Sequence, residues 1–362
     1  MRKYFSPLEI DFVMLGVLLL LSSIGILVIK SATISTPAFA ANPYRQAYWL
    51  AIAIAAYFVG FFLDRRNLRR SAYPFYFTVL FILLSLALAA ALSDGVYRWL
   101  HFGGLSFQPS EIGKIALILG IARYFNNKKK KPPYGLEDIT VPMIMVVAYV
   151  VPVALQPDLG TALFMVLLVI PIFFMVGVNL WTVVFIVGSA AASAPFFFLT
   201  LKDYQRERIL SFLDPGRDPL GTGYHVIQSK IAIGSGGWFG KGLFQGTQSQ
   251  LRFIPEQHTD FIFSVIGEEA GFVGVLIVLS LLFFLALWLI SYYDQEKSRF
   301  AILTIIGISG AFALQVVINI AMTVGILPVV GLPLPLLSYG GSSLVSTFLG
   351  CGIIAGFRRR RA

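Results

Sequence analysis

Cysteine occurs once in this 362-residue chain, as Cys351, so no intrachain disulfide can form. Histidine occurs three times, at His101, His225 and His258. No two of them show the H-x₃₋₅-H spacing of a zinc ligand pair, which argues against a zinc site. Charge is scarce too: Asp, Glu, Lys and Arg make up 13% of the residues, against about a quarter in soluble domains. The alternating pattern of a barrel strand is missing, which excludes an outer-membrane barrel. No internal repeat, low-complexity tract or separate soluble domain interrupts the chain. A nucleotide loop is also lacking. The glycine-rich "GSGGWFGKG" (234–242) has Ser235 where the first glycine of G-x-x-x-x-G-K-[ST] should stand, and Gly242 follows Lys241.

What fills the chain instead is apolar sequence. Hydrophobic residues make up 57% and the mean hydropathy is +0.80, values of an integral membrane protein. A helix crossing the hydrocarbon needs roughly 20 apolar residues. Ten stretches are read as spans: about 10–30, 46–63, 74–93, 110–125, 139–156, 159–177, 180–200, 259–290, 300–325 and 336–357. The expected fold is therefore an all-α polytopic membrane protein of ten transmembrane helices, a single membrane domain over 1–362. Arg2 and Lys3, an apolar run and "AFA" (38–40) resemble a cleavable signal, but the run is longer than a signal's apolar core and is read as the first span.

The net charge of +10 sits in short basic runs beside apolar segments, such as "RRNLRR" (65–70), "NNKKKK" (126–131) and "RRRR" (358–361). This is a topogenic pattern, and nucleic acid is not an expected partner. With the N-terminus inside, 17 Lys and Arg fall on the cytoplasmic side, against Lys30, Arg45 and Arg98 in the short outer loops. Both termini are thus expected in the cytoplasm. One long segment, about 201–258, becomes an extracytoplasmic loop between spans seven and eight. Its scattered apolar and aromatic residues predict packing on the bundle, partly as interfacial helix.

The polar residues that remain are few enough to weigh singly. Glu111 and Lys114 lie three apart on the fourth span, hence on one face. They form either a mutually neutralised pair or a polar wall of a substrate cavity, with Arg98, His101 and Gln108 at its rim. Asp158 in "QPDLG" reads as a helix N-cap, alone or while also lining that cavity. The glycine-rich loop is either a turn or a cradle of backbone N–H groups that, with Lys241, would hold a lipid-borne phosphate. In "PEQHTDFIFSVIGEE" (255–269), Asp260 begins an apolar run to Ile290, longer than one crossing requires. Helical spacing places Asp260, Ser264 and Glu268 on one face near the outer mouth. Phe261 and Phe263 would partly desolvate Asp260 and raise its pKa toward that of a general base.

The run 212–271, "QPSEIGK" (108–114), "QPDLGTA" (156–162) and "LPLPLLSYGGSS" (332–343) resemble the motifs of the shape, elongation, division and sporulation (SEDS) family. The resemblance covers nearly the whole chain, and "GTQSQL" (246–251) is closer to elongation members than to division members. It implies a peptidoglycan glycosyltransferase of the bacterial cytoplasmic membrane. The substrate would be lipid II, and the partners membrane lipids, the elongation machinery and a class B penicillin-binding protein that crosslinks the strands. It also implies that Asp260 is the essential acid of "HTDFIF". The expected reaction inverts the donor's anomeric centre. Arg98, Lys114, Arg206, Lys241 or a divalent cation, magnesium or manganese, would face the pyrophosphate, with Glu111, Asp158, His258 and Glu268 as further substrate contacts. The alternatives are a flippase for lipid-linked precursor and a division glycosyltransferase.

Overall fold

The computed structural model describes residues 10–358 apart from 94, 96, 103–104, 201–205, 208–209 and 213–221. The terminal basic residues Arg2, Lys3 and 359–361, and part of the long segment 201–258, lie outside the described residues. The first half holds α1 (Phe12–Thr33), α2 (Asn42–Phe62), α3 (Arg65–Ser93) and α4 (Pro109–Asn127). Then come α5 (Leu136–Leu155), α6 (Leu159–Leu167), α7 (Ile170–Val176) and α8 (Leu180–Thr200). After the long segment's α9 (Thr222–Ser235) and α10 (Thr247–Gln250) follow α11 (Ile262–Ser291), α12 (Arg299–Thr323) and α13 (Gly341–Arg358). A short antiparallel hairpin, β1 (Leu100–Phe102) with β2 (Leu105–Phe107), departs from the all-helical expectation.

Seven of these segments are long and apolar enough to cross a membrane: α1, Pro37–Phe62, α3, α5, Leu159–Val176, α11 and α12. Helices also occupy the other three ranges read as spans: α8 carries the apolar run Leu180–Ser193, whereas α4 and α13 do not meet that length and hydropathy by themselves. The reason for α4 and α13 is packing: most of their side chains are buried against other helices. A helix shielded from lipid on all sides need not be uniformly apolar.

Polar groups are used sparingly to tie the bundle. Asp11 caps α1 by accepting from Met14 N at 2.9 Å. Its second oxygen accepts from Trp288 Nε1 and the Tyr292 hydroxyl and faces Arg358 at 3.5 Å. One carboxylate thus fastens α1, α11 and α13 at a common end. The α2–α13 contact is closer than ordinary side chains permit. A Cβ on Gly352 would stand 2.1 Å from Tyr57 O, the small-residue packing that lets membrane helices approach. In α3, Pro74 cannot donate to the carbonyl of Arg70. Arg123 takes up that orphan, donating Nη1 to Arg70 O at 2.5 Å and to Arg69 O at 2.8 Å.

Candidate active site

Asp260 lies in the turn ahead of α11, not in its first helical turn as the spacing predicts, because the helix begins at Ile262. The residue is half-buried, and its sequence neighbours Phe261 and Phe263 are buried. Its carboxylate faces Gly331: a Cβ added there would meet Asp260 Oδ2 at 3.4 Å. Gly331 has φ +74°, a conformation that glycine adopts without strain. The Asp260 carbonyl accepts from Asn319 Nδ2 at 3.0 Å, and the same amide donates to Leu332 O at 2.7 Å. Ser338 Oγ donates to Thr259 O while accepting from Leu334 N. Tyr339 N donates to His258 O at 2.9 Å. The "HTD" turn is thereby stitched along its backbone to the loop 331–340.

That loop also anchors the other polar elements. Gln315 donates Nε2 to Pro333 O at 3.0 Å and accepts from Lys114 Nζ at 3.0 Å. Lys114 pairs with Glu111 at 2.7 Å, the contact their i, i+3 spacing predicts, and both are buried. Ser346 Oγ donates to Glu111, and the Lys114 ammonium stands 5.2 Å from the Phe164 ring centre. The pair borders a cavity with about 50 Å³ of room for water, between α4, α12 and α13. At the start of α6, a Cβ on Gly160 would overlap Val330 O at 1.8 Å, so backbone meets backbone there. Two residues earlier Asp158 is the N-cap, accepting from Thr161 N at 3.2 Å. Its other oxygen accepts from Gln108 Nε2 at 2.9 Å. Arg98 clamps the same turn through Gln156 O at 2.8 Å and Pro157 O. Asp260, Asp158, Arg98 and the Glu111–Lys114 pair are therefore all organised around the loop 330–335.

The remaining candidates lie elsewhere. Glu268 does not share a cavity face with Asp260. Its oxygens accept from Gln248 N at 2.8 Å and Ser249 N at 3.1 Å, which caps α10, and it pairs with Lys241 at 2.8 Å. In the glycine-rich loop the N–H groups of Gly236, Gly240, Lys241 and Gly242 are already used within the protein, so these four do not cradle a phosphate. At Gly271 (φ +65°) α11 breaks. The carbonyls of Glu268 and Glu269 would accept from residues 272 and 273 in a continuous helix. They accept instead from Lys241 N and Gly242 N, while Phe272 N and Val273 N donate to Gly237 O and Trp238 O. The loop is spliced into the broken helix, and every freed backbone group finds a partner. His258 is buried between the rings of Phe39 and Tyr339. Burial pushes its pKa down, with Glu256 opposing. Arg206 donates to Leu199 O and lies over Phe198, both on α8, away from the 330–335 loop.

No three His, Cys, Asp or Glu side chains converge among the described residues. Sequence reasoning passed over Gln315 and Asn319, which link Lys114 and Asp260 to one loop. The signal was present: two amides four residues apart, on one face of an otherwise apolar span.

Residues 11–362 match the sequence profile of the cell cycle protein family FtsW, RodA and SpoVE. This chain belongs to that family. It is a multi-pass inner-membrane protein of the SEDS type. It is 44% identical over 292 residues to the Escherichia coli K12 peptidoglycan glycosyltransferase MrdB, covering 79% of this chain and 78% of that one. A probable peptidoglycan glycosyltransferase FtsW from Trichlorobacter lovleyi is 38% identical, covering 98% and 94%. Among solved structures, Thermus thermophilus RodA superposes with a TM-score of 0.72 at 29% identity, covering 98% and 99%. A chain from a peptidoglycan synthase complex, solved to show how polymerization and crosslinking are coordinated, gives 0.82 at 34%, covering 98% and 100%.

Proposed function

We propose that this SEDS protein is a peptidoglycan glycosyltransferase that polymerises lipid II at the outer face of the cytoplasmic membrane during cell-wall elongation. The observation that carries the reading is Asp260: a half-buried carboxylate in a turn, fixed by its own backbone, facing a loop that holds Lys114 through Gln315 and abuts Gly160, two residues after Asp158. Asp260 acts as general base and takes the proton from the C4 hydroxyl of an acceptor N-acetylglucosamine. That oxygen attacks the anomeric carbon of the donor N-acetylmuramic acid, the bond to undecaprenyl pyrophosphate breaks, and the centre inverts. Backbone contacts of the turn hold the base in place, the positioning that general-base catalysis requires. Arg98 and Lys114 are the basic residues around the loop, and charge on the departing pyrophosphate is the natural target of cations. Lys114 reaches it only by loosening its hold on Glu111.

Ten spans with both termini in the cytoplasm fit this reading, since α4, α8 and α13 add to the seven strongly apolar segments and the basic residues divide as described. The long segment 201–258 then lies outside, as does Asp260. A crosslinking partner, a class B penicillin-binding protein, is supported by likeness to a chain of a synthase complex. Similarity to an FtsW keeps a division role as the second reading.

The test is gel-resolved polymer from labelled lipid II, made by the purified protein with its penicillin-binding partner, whose transpeptidase is blocked. Wild type should give glycan strands and Asp260→Asn none. Polymer from a folded Asp260→Asn at the wild-type rate would remove Asp260 as base. Polymer from neither would favour the flippase alternative.

A further inference from the structure

One face of α3 carries two different surfaces in series. Arg65, Arg69, Tyr73, Tyr76 and Leu80 recur at three- and four-residue steps, so they form a single stripe. At its N-terminal end Arg65, Arg66 and Arg69 line a cleft of about 300 Å³ with Asp64 and Ser298. Arg65 is occupied by Glu296 at 3.0 Å, whereas Arg66 and Arg69 are exposed to solvent. Ser298 is the N-cap of α12 and its side chain makes no capping bond, so the positive end of that helix adds to the arginines. One turn further, the stripe runs into an apolar groove of about 330 Å³ between α3 and α5. Its floor is closed by Tyr76 OH donating to Met145 O and Tyr149 OH donating to Tyr76 O. Its walls include Phe77 and Ile144, each more than 60% exposed. Arg123 lies at the junction, its guanidinium 4.5 Å from the Tyr73 ring centre.

We propose that this stripe binds an anionic phospholipid, with its phosphate at Arg66 and Arg69 and one acyl chain lying in the groove along Tyr73, Phe77 and Ile144. The charge of the cleft and the apolarity of the groove match the two ends of that molecule and no soluble ligand. Basic pockets between membrane helices take anionic headgroups for the same reason, and a tyrosine at the boundary suits the interface. The site lies at the basic end of α3 and is independent of the catalytic reading.

The test is native mass spectrometry of the full chain released from detergent, titrated with phosphatidylglycerol and separately with phosphatidylcholine. Saturable binding of one phosphatidylglycerol in preference to phosphatidylcholine is expected. Each arginine near a membrane surface contributes about a fivefold preference, so R66Q with R69Q should weaken phosphatidylglycerol binding about 30-fold. Ala148→Trp, which fills the groove, should weaken both lipids equally while leaving the arginines intact. Gel filtration establishes that each variant stays folded. Equal binding of the two lipids, or no response to R66Q with R69Q, would overturn the headgroup site. Unchanged binding by Ala148→Trp would overturn the groove. Competition by millimolar glycerol phosphate, with no lipid retained, would make the cleft a soluble-anion site and overturn the proposal.

Discussion

Removing the carboxylate of Glu268 tests whether this residue holds the loop 241–251 or touches substrate. In Glu268→Ala the amides of Gln248 and Ser249 lose their acceptor, and so do Lys241 Nζ and Thr247 Oγ1. Hydrogen bonds to a buried charge contribute about 1.5–3 kcal/mol each. Lys241 is partly exposed, so its ammonium can rehydrate and its share is small. Counting only the two amides at the low end gives about 3 kcal/mol. At 1.4 kcal/mol per tenfold that is about a 100-fold rise in local opening. Hydrogen exchange of 246–251 in nanodiscs reads this directly, because exchange follows local opening. Glu268→Gln, which keeps one acceptor oxygen, should fall between. An exchange rate within fivefold of wild type would refute the capping argument. Normal exchange combined with lost polymer synthesis would return Glu268 to the substrate contacts.

Three further outcomes follow from the same geometry. Lys114→Met leaves Glu111 buried without its cation and should lower stability by about 3–5 kcal/mol, whereas Glu111→Leu with Lys114→Met should recover most of it; thermal unfolding in detergent separates the two. Gly240→Ala forces a side chain onto a residue at φ +78°, with its Cβ 2.1 Å from Glu269 O, and should unseat the spliced loop, seen as proteolysis near 238–244. His258 has a depressed pKa, so the unfolded chain binds its proton first. Stability should therefore be unaffected by this residue above pH about 6.5 and fall as pH drops below it, by at most about 1.4 kcal/mol per pH unit. His258→Gln should flatten that slope in a Tm series from pH 7.5 to 5.

Local chemistry was legible in the sequence wherever a partner lay within one turn. The Asp158 cap and the Glu111–Lys114 pair depend on spacings of three residues, and both occur. The apolar runs located the helices, since hydrophobic length is set by the membrane and not by neighbours. What stayed hidden were contacts between distant segments. Nothing local marks Gly271 as a break, because the apolar pattern passes through it without a change in period. The excess length of that run was the available clue: 272–291 alone supplies about the roughly 20 residues of one crossing. The glycine-rich loop was left between a turn and a cradle for the same reason, its partner being some 30 residues away along the chain. The hairpin at Leu100–Phe107 escaped notice because each strand is only three residues long.

The break at Gly271 also divides labour along α11. The part from 272 onward is held by the width of the bilayer, whereas 262–270 is a short rod suspended between a hinge and a turn. Asp260 stands at the turn end of that rod, which is bonded to Asn319, Ser338 and Tyr339. Any force applied to the exposed Trp238 and Phe239, 70% and 83% accessible, is delivered at the hinge through four backbone hydrogen bonds. The spliced loop at one end and the loop 331–340 at the other thus hold the short segment that positions Asp260, independently of the crossing helix.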